Sequence, residues 1–184
     1  MPQSNAFKFA NNILTNGGYD AADLVGAAGG GDNTPSFQVK RTSSQTISDV
    51  TETKIQFNVE DFDSDNAFDS TTNYRFTVPT GEDGKYCIYY AVNVYDYPAT
   101  IYQYQPILKK NGNIVNESGS WDGTSSSPVG SHGYSYNNQI ILTLVATDYL
   151  ELFVYINTWD GGTGTVSSSS TNPSFFGGYK MIGI

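Results

Sequence analysis

The densest group of side chains that could do chemistry is an acidic run between residues 60 and 69. Its members are Glu60, Asp61, Asp63, Asp65 and Asp69. The first three aspartates have the spacing that opens a calcium-binding loop, because clustered carboxylates attract hard cations. The glycine and glutamate expected at the sixth and twelfth positions are replaced by Asn66 and Thr72. We therefore expect a solvated acidic turn, with a weak calcium site at Asp61, Asp63 and Asp65 as the alternative.

The chain offers few other residues for metal binding or catalysis. It has one histidine, His132, and one cysteine, Cys87, so one subunit can form neither an internal disulfide nor an ordinary zinc site. No Ser-His-acid signature, nucleophile elbow or phosphate-binding loop is present. Two of the eighteen acids could converge as a glycosidase pair, although they cluster in turns. We expect a protein that is not an enzyme, with a sugar hydrolase as an alternative, and expect His132 in an exposed loop.

Aromatic residues are a second candidate for function. They make up 14% of the chain, including fourteen tyrosines. Eight of them lie in or beside predicted loops, and four of these are candidates for glycan contact: Trp121, Trp159, Tyr134 and Tyr136. Tyr and Trp in such surroundings stack on sugars or dock on proteins. The alternative is that each Trp-Asp-Gly sequence forms a tight turn whose Trp shields a sheet edge.

Charge narrows the range of partners. The formal net charge is -9, the sequence pI is about 4.3, and only 15% of residues are charged. Such a surface repels nucleic acid and anionic lipid headgroups. The first residues lack a signal peptide pattern, and no apolar run reaches the roughly 18 residues of a membrane helix. We expect synthesis in a cytoplasm, with no membrane insertion and no nucleic acid partner.

Short strands separated by turns must position these residues. Alternating apolar and polar residues predict strands at 37–41, 54–58, 74–78, 102–108, 140–144 and 150–156. Asn111-Gly112 predicts a hairpin, and the Gly/Ser tract at 161–170 predicts a flexible loop. This regular spacing is typical of an all-β sandwich.

The strand at 86–94 is apolar on both faces. Its alternating residues include Cys87, Tyr89 and Ala91 on the face opposite Tyr86 and Ile88. An antiparallel sandwich strand usually buries one face, so the second face is expected to meet protein. The alternative is that the chain's own loops cover it.

Residues 1–34 form a separate segment by composition. Gly29, Gly30 and Gly31 indicate a flexible hinge. Before the hinge, four apolar residues are too few to bury themselves and are candidates for anchoring on a larger particle: Phe7, Phe9, Ile13 and Leu14. We therefore predict an N-terminal docking arm at 1–34 and a head domain at 35–184.

The head resembles the complement C-one-q globular head, a branch of the tumour-necrosis-factor-like jelly rolls. The resemblance covers about 37–184. It rests on these motifs: Phe68-Asp69, Phe76-Thr77-Val78-Pro79, Gly84, the aromatic strand 86–94, and Ser174-Phe175-Phe176-Gly177-Gly178-Tyr179.

The resemblance implies a ten-strand jelly-roll sandwich that works as a homotrimer and binds surfaces without catalysis. In such a trimer the second face of 86–94 meets the neighbouring subunit, which suggests these interface residues: Cys87, Tyr89, Ala91, Phe175 and Tyr179. The chain has no collagen-like stalk, which favours a bacteriophage virion protein over an immune role. We expect a head fibre or decoration protein whose arm binds a capsid or tail protein, with a tail-fibre or lectin-like module that binds host glycan as the alternative.

Overall fold

The computed structural model describes residues 33–96, 101–117, 119–121 and 132–182. Within these ranges the chain is all-β, as predicted, and the described residues contain no helix that could span a membrane. The predicted anchor residues Phe7, Phe9, Ile13 and Leu14 lie outside the described ranges. The strands are β1 (Ser36–Lys40), β2 (Gln45–Ser48), β3 (Thr53–Lys54), β4 (Val59–Asp63), β5 (Phe68–Asp69), β6 (Arg75–Thr77), β7 (Gly84–Asp96), β8 (Ile101–Lys110), β9 (Asn113–Glu117), β10 (Ser120–Trp121), β11 (His132–Leu144), β12 (Tyr149–Thr158), β13 (Thr163–Val166) and β14 (Phe175–Lys180).

The strands form two antiparallel sheets, consistent with a sandwich. Sheet I has the order β2-β13-β7-β14-β1-β4, with β11 also paired to β7. Sheet II has the order β10-β8-β12-β6-β5, with β3 paired to β12 and β9 paired to β8. The hydrophobic core draws on strands of both sheets, because each strand turns alternate residues inward.

The centre of the core is a group of phenylalanine rings. Phe37 of β1 stacks on Phe76 at a centroid distance of 4.5 Å and meets the edge of Phe176 at 5.1 Å. All three side chains are fully buried. Edge-to-face and offset pairs of this kind add to the stability gained from burial alone.

The predicted Asn-Gly hairpin is confirmed between β8 and β9. Asn111 and Gly112 both have positive φ, at 52° and 79°, which the tight two-residue turn requires. The Asn111 side chain donates to Asp148 Oδ1 at 2.6 Å and accepts from the Tyr149 backbone N–H at 2.9 Å. The turn is thereby joined to the start of β12.

The predicted strand at 54–58 is only partly correct. Ile55 and Phe57 are buried and alternate with exposed neighbours, as the pattern indicates. However, only Lys54 belongs to a strand, because the backbone here crosses between the sheets. Ile55 donates to the Leu152 carbonyl of sheet II, and Asn58 donates to the Lys40 carbonyl of sheet I.

Three regions predicted as turns or loops contain strands. The acidic residues Glu60, Asp61 and Asp63 lie in β4, which pairs with β1, and an ion pair joins Asp61 to Lys40 of β1. The Gly/Ser tract contains β13, where Gly164 packs against the side chains of Ile101 and Ile156. His132 begins β11 and does not lie in a loop. In each case tertiary contacts override a local composition that is unfavourable for strands.

Candidate functional site

The predicted two-faced strand is β7, and the structure separates its faces. Tyr86 and Ile88 point into the core. Cys87, Tyr89 and Ala91 lie on the outer face of sheet I, where Cys87 is 2% exposed, Ala91 is 7% exposed and Tyr89 is half-buried. Side chains of the same chain therefore already cover part of the second face.

Strand register brings the other predicted interface residues onto this face. Phe175 of β14 lies opposite Ala91, and Tyr179 lies opposite Cys87. On the other side of β7, Ile141 of β11 lies opposite Cys87 and is 56% exposed. We call this group the outer patch, and its members are Cys87, Tyr89, Ala91, Ile141, Phe175 and Tyr179.

A glycine in β14 lets an aromatic ring lie flat on the sheet. Gly177 is the register partner of Tyr89, and a Cβ at Gly177 would lie 2.6 Å from the Tyr89 ring. The Tyr89 hydroxyl donates to Gln38 Oε1 at 3.2 Å, and its ring meets that of Phe175 at 6.2 Å. Tyr89 therefore extends across β14 as part of a flat aromatic surface.

The polar groups of the outer patch are uncharged. Gln139 donates from Nε2 to Cys87 Sγ at 2.8 Å, and a hydrogen bond with Cys87 raises the pKa of Tyr179. Burial raises the pKa of Tyr89. Since tyrosine ordinarily titrates near pH 10, both phenols stay neutral under physiological conditions.

The strands that carry the outer patch have no charged residues over long stretches. The ranges 86–95, 133–144 and 175–179 contain no Asp, Glu, Lys or Arg, although the whole chain has a net charge of -9. An ion pair on this sheet, Lys40 with Asp61, joins β1 to β4. Depletion of charge with enrichment of aromatic residues is typical of the core of a protein interface.

Strand β11 is also an open edge. In the described part of the chain it pairs with β7 alone, along all thirteen residues from His132 to Leu144. Lys110 Nζ donates to the Thr143 carbonyl at 3.2 Å, which covers one end. Natural proteins usually protect such edges with charge, proline or a bulge, and β11 has no Asp, Glu, Lys, Arg or Pro.

A groove of about 740 Å³ lies on the outer face of sheet I, beyond Ala91. We call it the Asn93 groove; it runs between β11 and the segment 167–174 that joins β13 to β14. Asn93 is 4% exposed; its Nδ2 donates to the Pro173 carbonyl at 2.8 Å, and its backbone N–H donates to Ser174 Oγ at 3.0 Å. Asn93 Oδ1 is buried without a hydrogen-bond partner in the described residues. A buried acceptor left in this state costs roughly 1–3 kcal/mol.

The calcium candidates do not converge on a common point. The Asp61 carboxylate binds Lys40 and Gln38, and the Lys40 hydrogen bond lowers its pKa. Asp63 accepts from the Phe68 backbone N–H at 2.8 Å, and Asp65 accepts from Ser64 Oγ. No group of three His, Cys, Asp or Glu side chains placed to hold a metal ion is found in the described residues. In this structure the three carboxylates are instead engaged in contacts within the chain.

The glycan candidates have different surroundings. Trp159 is 56% exposed and its ring packs on Tyr102 at 4.2 Å. Tyr134 and Tyr136 are half-buried and pack against the core, which leaves less of each ring for a sugar than the sequence suggests. The Trp121 side chain lies outside the described part of the structure, and its backbone pairs with Gln103.

Two features of this face were not predicted from the sequence. Ile141 was assigned to a strand but not to the interface, although the uncharged run 133–144 was visible in the sequence. Nothing in the sequence marked Asn93 as a site residue. Its hydrogen-bond partners Pro173 and Ser174 lie about eighty positions later and approach it only in the folded chain.

Comparison of the chain with models of known protein families and with curated proteins finds no match. The function of this chain is therefore inferred from its fold and from the chemistry of the outer face of sheet I.

Proposed function

We propose that this chain is a non-enzymatic structural protein whose head domain assembles into a homotrimer through the outer patch. The observation that carries the proposal is the outer patch, an uncharged and largely aromatic surface on which Ile141 is 56% exposed. Leaving apolar area in water is unfavourable by about 25 cal/mol per Å². A contiguous surface of this kind is typical of association sites.

The order of the strands supports the finer proposal of a jelly roll. The first and last strands, β1 and β14, are neighbours in sheet I, and β14 lies between β1 and β7. Long connections of this kind are characteristic of Greek-key sandwiches. In a ten-strand jelly roll, the four shortest of the fourteen segments, β3, β5, β6 and β10, would be short extensions of the main ladders.

The described carboxylates support a role without catalysis, because many are engaged in structural contacts. Ion pairs join Glu151 to Lys54 at 2.5 Å, Asp148 to Lys110 at 2.7 Å and Glu82 to Lys180 at 2.9 Å. Asp69 accepts backbone hydrogen bonds from Thr72, Thr71 and Asn73, and these lower its pKa. Carboxylates held in this way stabilise turns and ladders.

The biological setting that we propose is a bacteriophage virion, assembled in the host cytoplasm. The resemblance of the head and the composition of residues 1–34 support a head fibre or decoration protein. In this proposal Phe7, Phe9, Ile13 and Leu14 bind a capsid or tail protein, and the head projects outward. The net charge of -9 argues against direct contact with nucleic acid.

Light scattering on the full chain over a dilution series tests the assembly. The expected mass is three times the 20.0 kDa of one chain. A mass of one chain at every concentration would contradict the proposal. The anchor is tested separately by replacing Phe7 and Phe9 with serine, which should reduce incorporation into particles while leaving the trimer mass unchanged.

The exposed Trp159 ring favours a second candidate function, a lectin-like or tail-fibre module that binds cell-surface glycan. An indole that is 56% exposed and supported by Tyr102 presents a flat face on which a sugar ring can stack. Trp159→Ala should then abolish saturable binding to host cells, whereas Ile114→Ala, at another exposed apolar position, should not. Equal cell binding by both variants would contradict this function.

A further inference from the structure

We propose that the Asn93 groove binds a neutral oligosaccharide. The groove adjoins a second cavity of about 150 Å³, because Asn93, Ser135 and Asn172 line both. Together they form an elongated site along β7. This length suits a chain of sugar units better than a single compact ligand.

The lining of the groove selects for an uncharged ligand. None of the residues that line either cavity is Asp, Glu, Lys or Arg, so an ionic ligand would lose hydration without gaining a counter-charge. Amide and hydroxyl side chains dominate instead, and each can both donate and accept hydrogen bonds. Ser135, Asn137 and Asn172 are exposed, and their side chains form no hydrogen bond to other described residues.

Asn93 provides the second, independent observation. Its Nδ2 is held by the carbonyls of Asn172 and Pro173 at 3.4 and 2.8 Å, which fixes the orientation of the amide. Its Oδ1 therefore remains a buried acceptor without a partner in the described residues. Because this oxygen is almost completely shielded from solvent, a sugar hydroxyl, directly or through one water, would supply the missing donor once the side chains around it move apart.

Aromatic rings close the end of the groove nearest the outer patch. Phe175 and Tyr89 line it, with ring centroids 6.2 Å apart. A pocket that combines apolar rings with a few convergent polar groups is the usual form of a small-ligand site. The rings would pack on the C–H face of a sugar while Asn93, Ser135 and Asn137 meet its hydroxyls.

The proposal can be separated from the proposed trimer. The groove and the outer patch share Tyr89, Ala91 and Phe175, so a trimer formed through the patch would leave a sugar only the Asn93 end of the groove. Each surface also has residues of its own: Ile141 belongs to the patch and does not line the groove, whereas Ser135 and Asn137 line the groove and do not belong to the patch. Trp159 lies on neither surface. Variants at these positions therefore report on different surfaces.

The test is saturation-transfer NMR on the full chain, with maltotriose and chitotriose as neutral probes and sialyllactose as the anionic comparison. At least one neutral probe should show saturable transfer, with little from the anionic probe. The double variant Ser135→Ala/Asn137→Ala should weaken that binding by roughly tenfold, because it removes two hydrogen-bonding side chains. Thr143→Ala, exposed on the same strand outside the groove, and Trp159→Ala should leave it unchanged.

Two results would overturn the proposal. One is the absence of transfer from both neutral probes. The other is a double variant that binds the probes like wild type. If a second copy of the chain occupies the groove instead, the double variant should lower the mass seen in light scattering and no probe should show transfer. That outcome would favour the trimer and reject the sugar site.

Discussion

The outer faces of the two sheets present aromatic residues in different ways. On sheet II, Phe153 lies beneath two lysines, with Lys54 Nζ 5.7 Å and Lys109 Nζ 4.4 Å from the ring centre. Each lysine is paired with a glutamate, Lys54 with Glu151 and Lys109 with Glu52. On sheet I, no lysine or arginine among the described residues lies over a ring of the outer patch.

This difference distinguishes a sheet face that is exposed to solvent from one that contacts another protein. Long lysine stems cover apolar rings while their charged heads remain hydrated, and the paired glutamates hold them in place. A face covered in this way is adapted to solvent. The outer patch on sheet I has the opposite composition, which supports its assignment as the surface that meets another molecule.

The largest expected difference between two variants comes from substituting the adjacent phenylalanines at the start of β14. Phe176 is fully buried among Phe37 and Phe57, whereas Phe175 is half-buried on the outer patch. Phe176→Ala should lower the free energy of unfolding by about 3–5 kcal/mol, because it leaves a cavity. Phe175→Ala should cost less stability but weaken self-association. Urea unfolding and light scattering distinguish the two, and similar losses of stability would refute the contrast.

Two neighbouring glycines sharpen the same comparison. A Cβ at Gly178 would lie 2.6 Å from Ile88 Cδ1 in the core and 3.1 Å from the Cys87 carbonyl oxygen. Gly178→Ala should therefore lower the free energy of unfolding by roughly 1–3 kcal/mol through overpacking. Gly177→Ala should displace the Tyr89 ring, which can swing away, and mainly reduce association. Thermal unfolding measures the stability of both variants, and a larger loss for Gly177→Ala than for Gly178→Ala would contradict this prediction.

Removing a charge from the outer face of sheet II should have a smaller effect. Glu151→Gln weakens the pair with Lys54, whose side chain is 32% exposed. The expected loss is about 1 kcal/mol, and it should shrink as salt is raised. The mass of the assembly should not change. A lower assembly mass for Glu151→Gln would indicate that the outer face of sheet II also contacts another subunit.

Lowering the pH should weaken the hydrogen bonds of the aspartates more than the contacts of the outer patch. Hydrogen bonds from the Thr72, Thr71 and Asn73 backbone amides lower the folded-state pKa of Asp69. Its contribution to stability is present above its unfolded pKa of about 3.9 and is lost as pH falls through the lower folded value. The stability difference between wild type and Asp69→Asn, measured by urea unfolding, should therefore shrink between pH 7 and pH 2. A difference that is constant with pH would contradict this assignment.

Much of the fold could be predicted because, in many strands, residues that alternate between apolar and polar in the sequence are alternately buried and exposed in the structure. The inner residues of β7 and β12 alternate as expected, and Asn111-Gly112 determines its own turn. The extent of β11 was missed because polar residues such as Asn137 mask its pattern. Strand β13 was missed because a Gly/Ser tract gives no burial signal until Gly164 meets its distant isoleucine neighbours.

The candidate site was predictable only in part. The outer residues of β7 follow from the period of two along a strand. The Asn93 groove could not be foreseen, since it depends on segment 167–174 lying beside β7 and on hydrogen bonds with Pro173 and Ser174. Long-range contacts of this kind leave no periodic trace in a sequence.

The most direct test of the central claim compares two isoleucines that have similar exposure on different sheets. Ile141 on the outer patch is 56% exposed, and Ile114 on β9 is 48% exposed. Light scattering should give the trimer mass for wild type and for Ile114→Lys. Ile141→Lys should give the 20.0 kDa mass of one chain with an unchanged circular dichroism spectrum. If Ile141→Lys keeps the wild-type mass, the outer patch is not the surface through which this protein assembles.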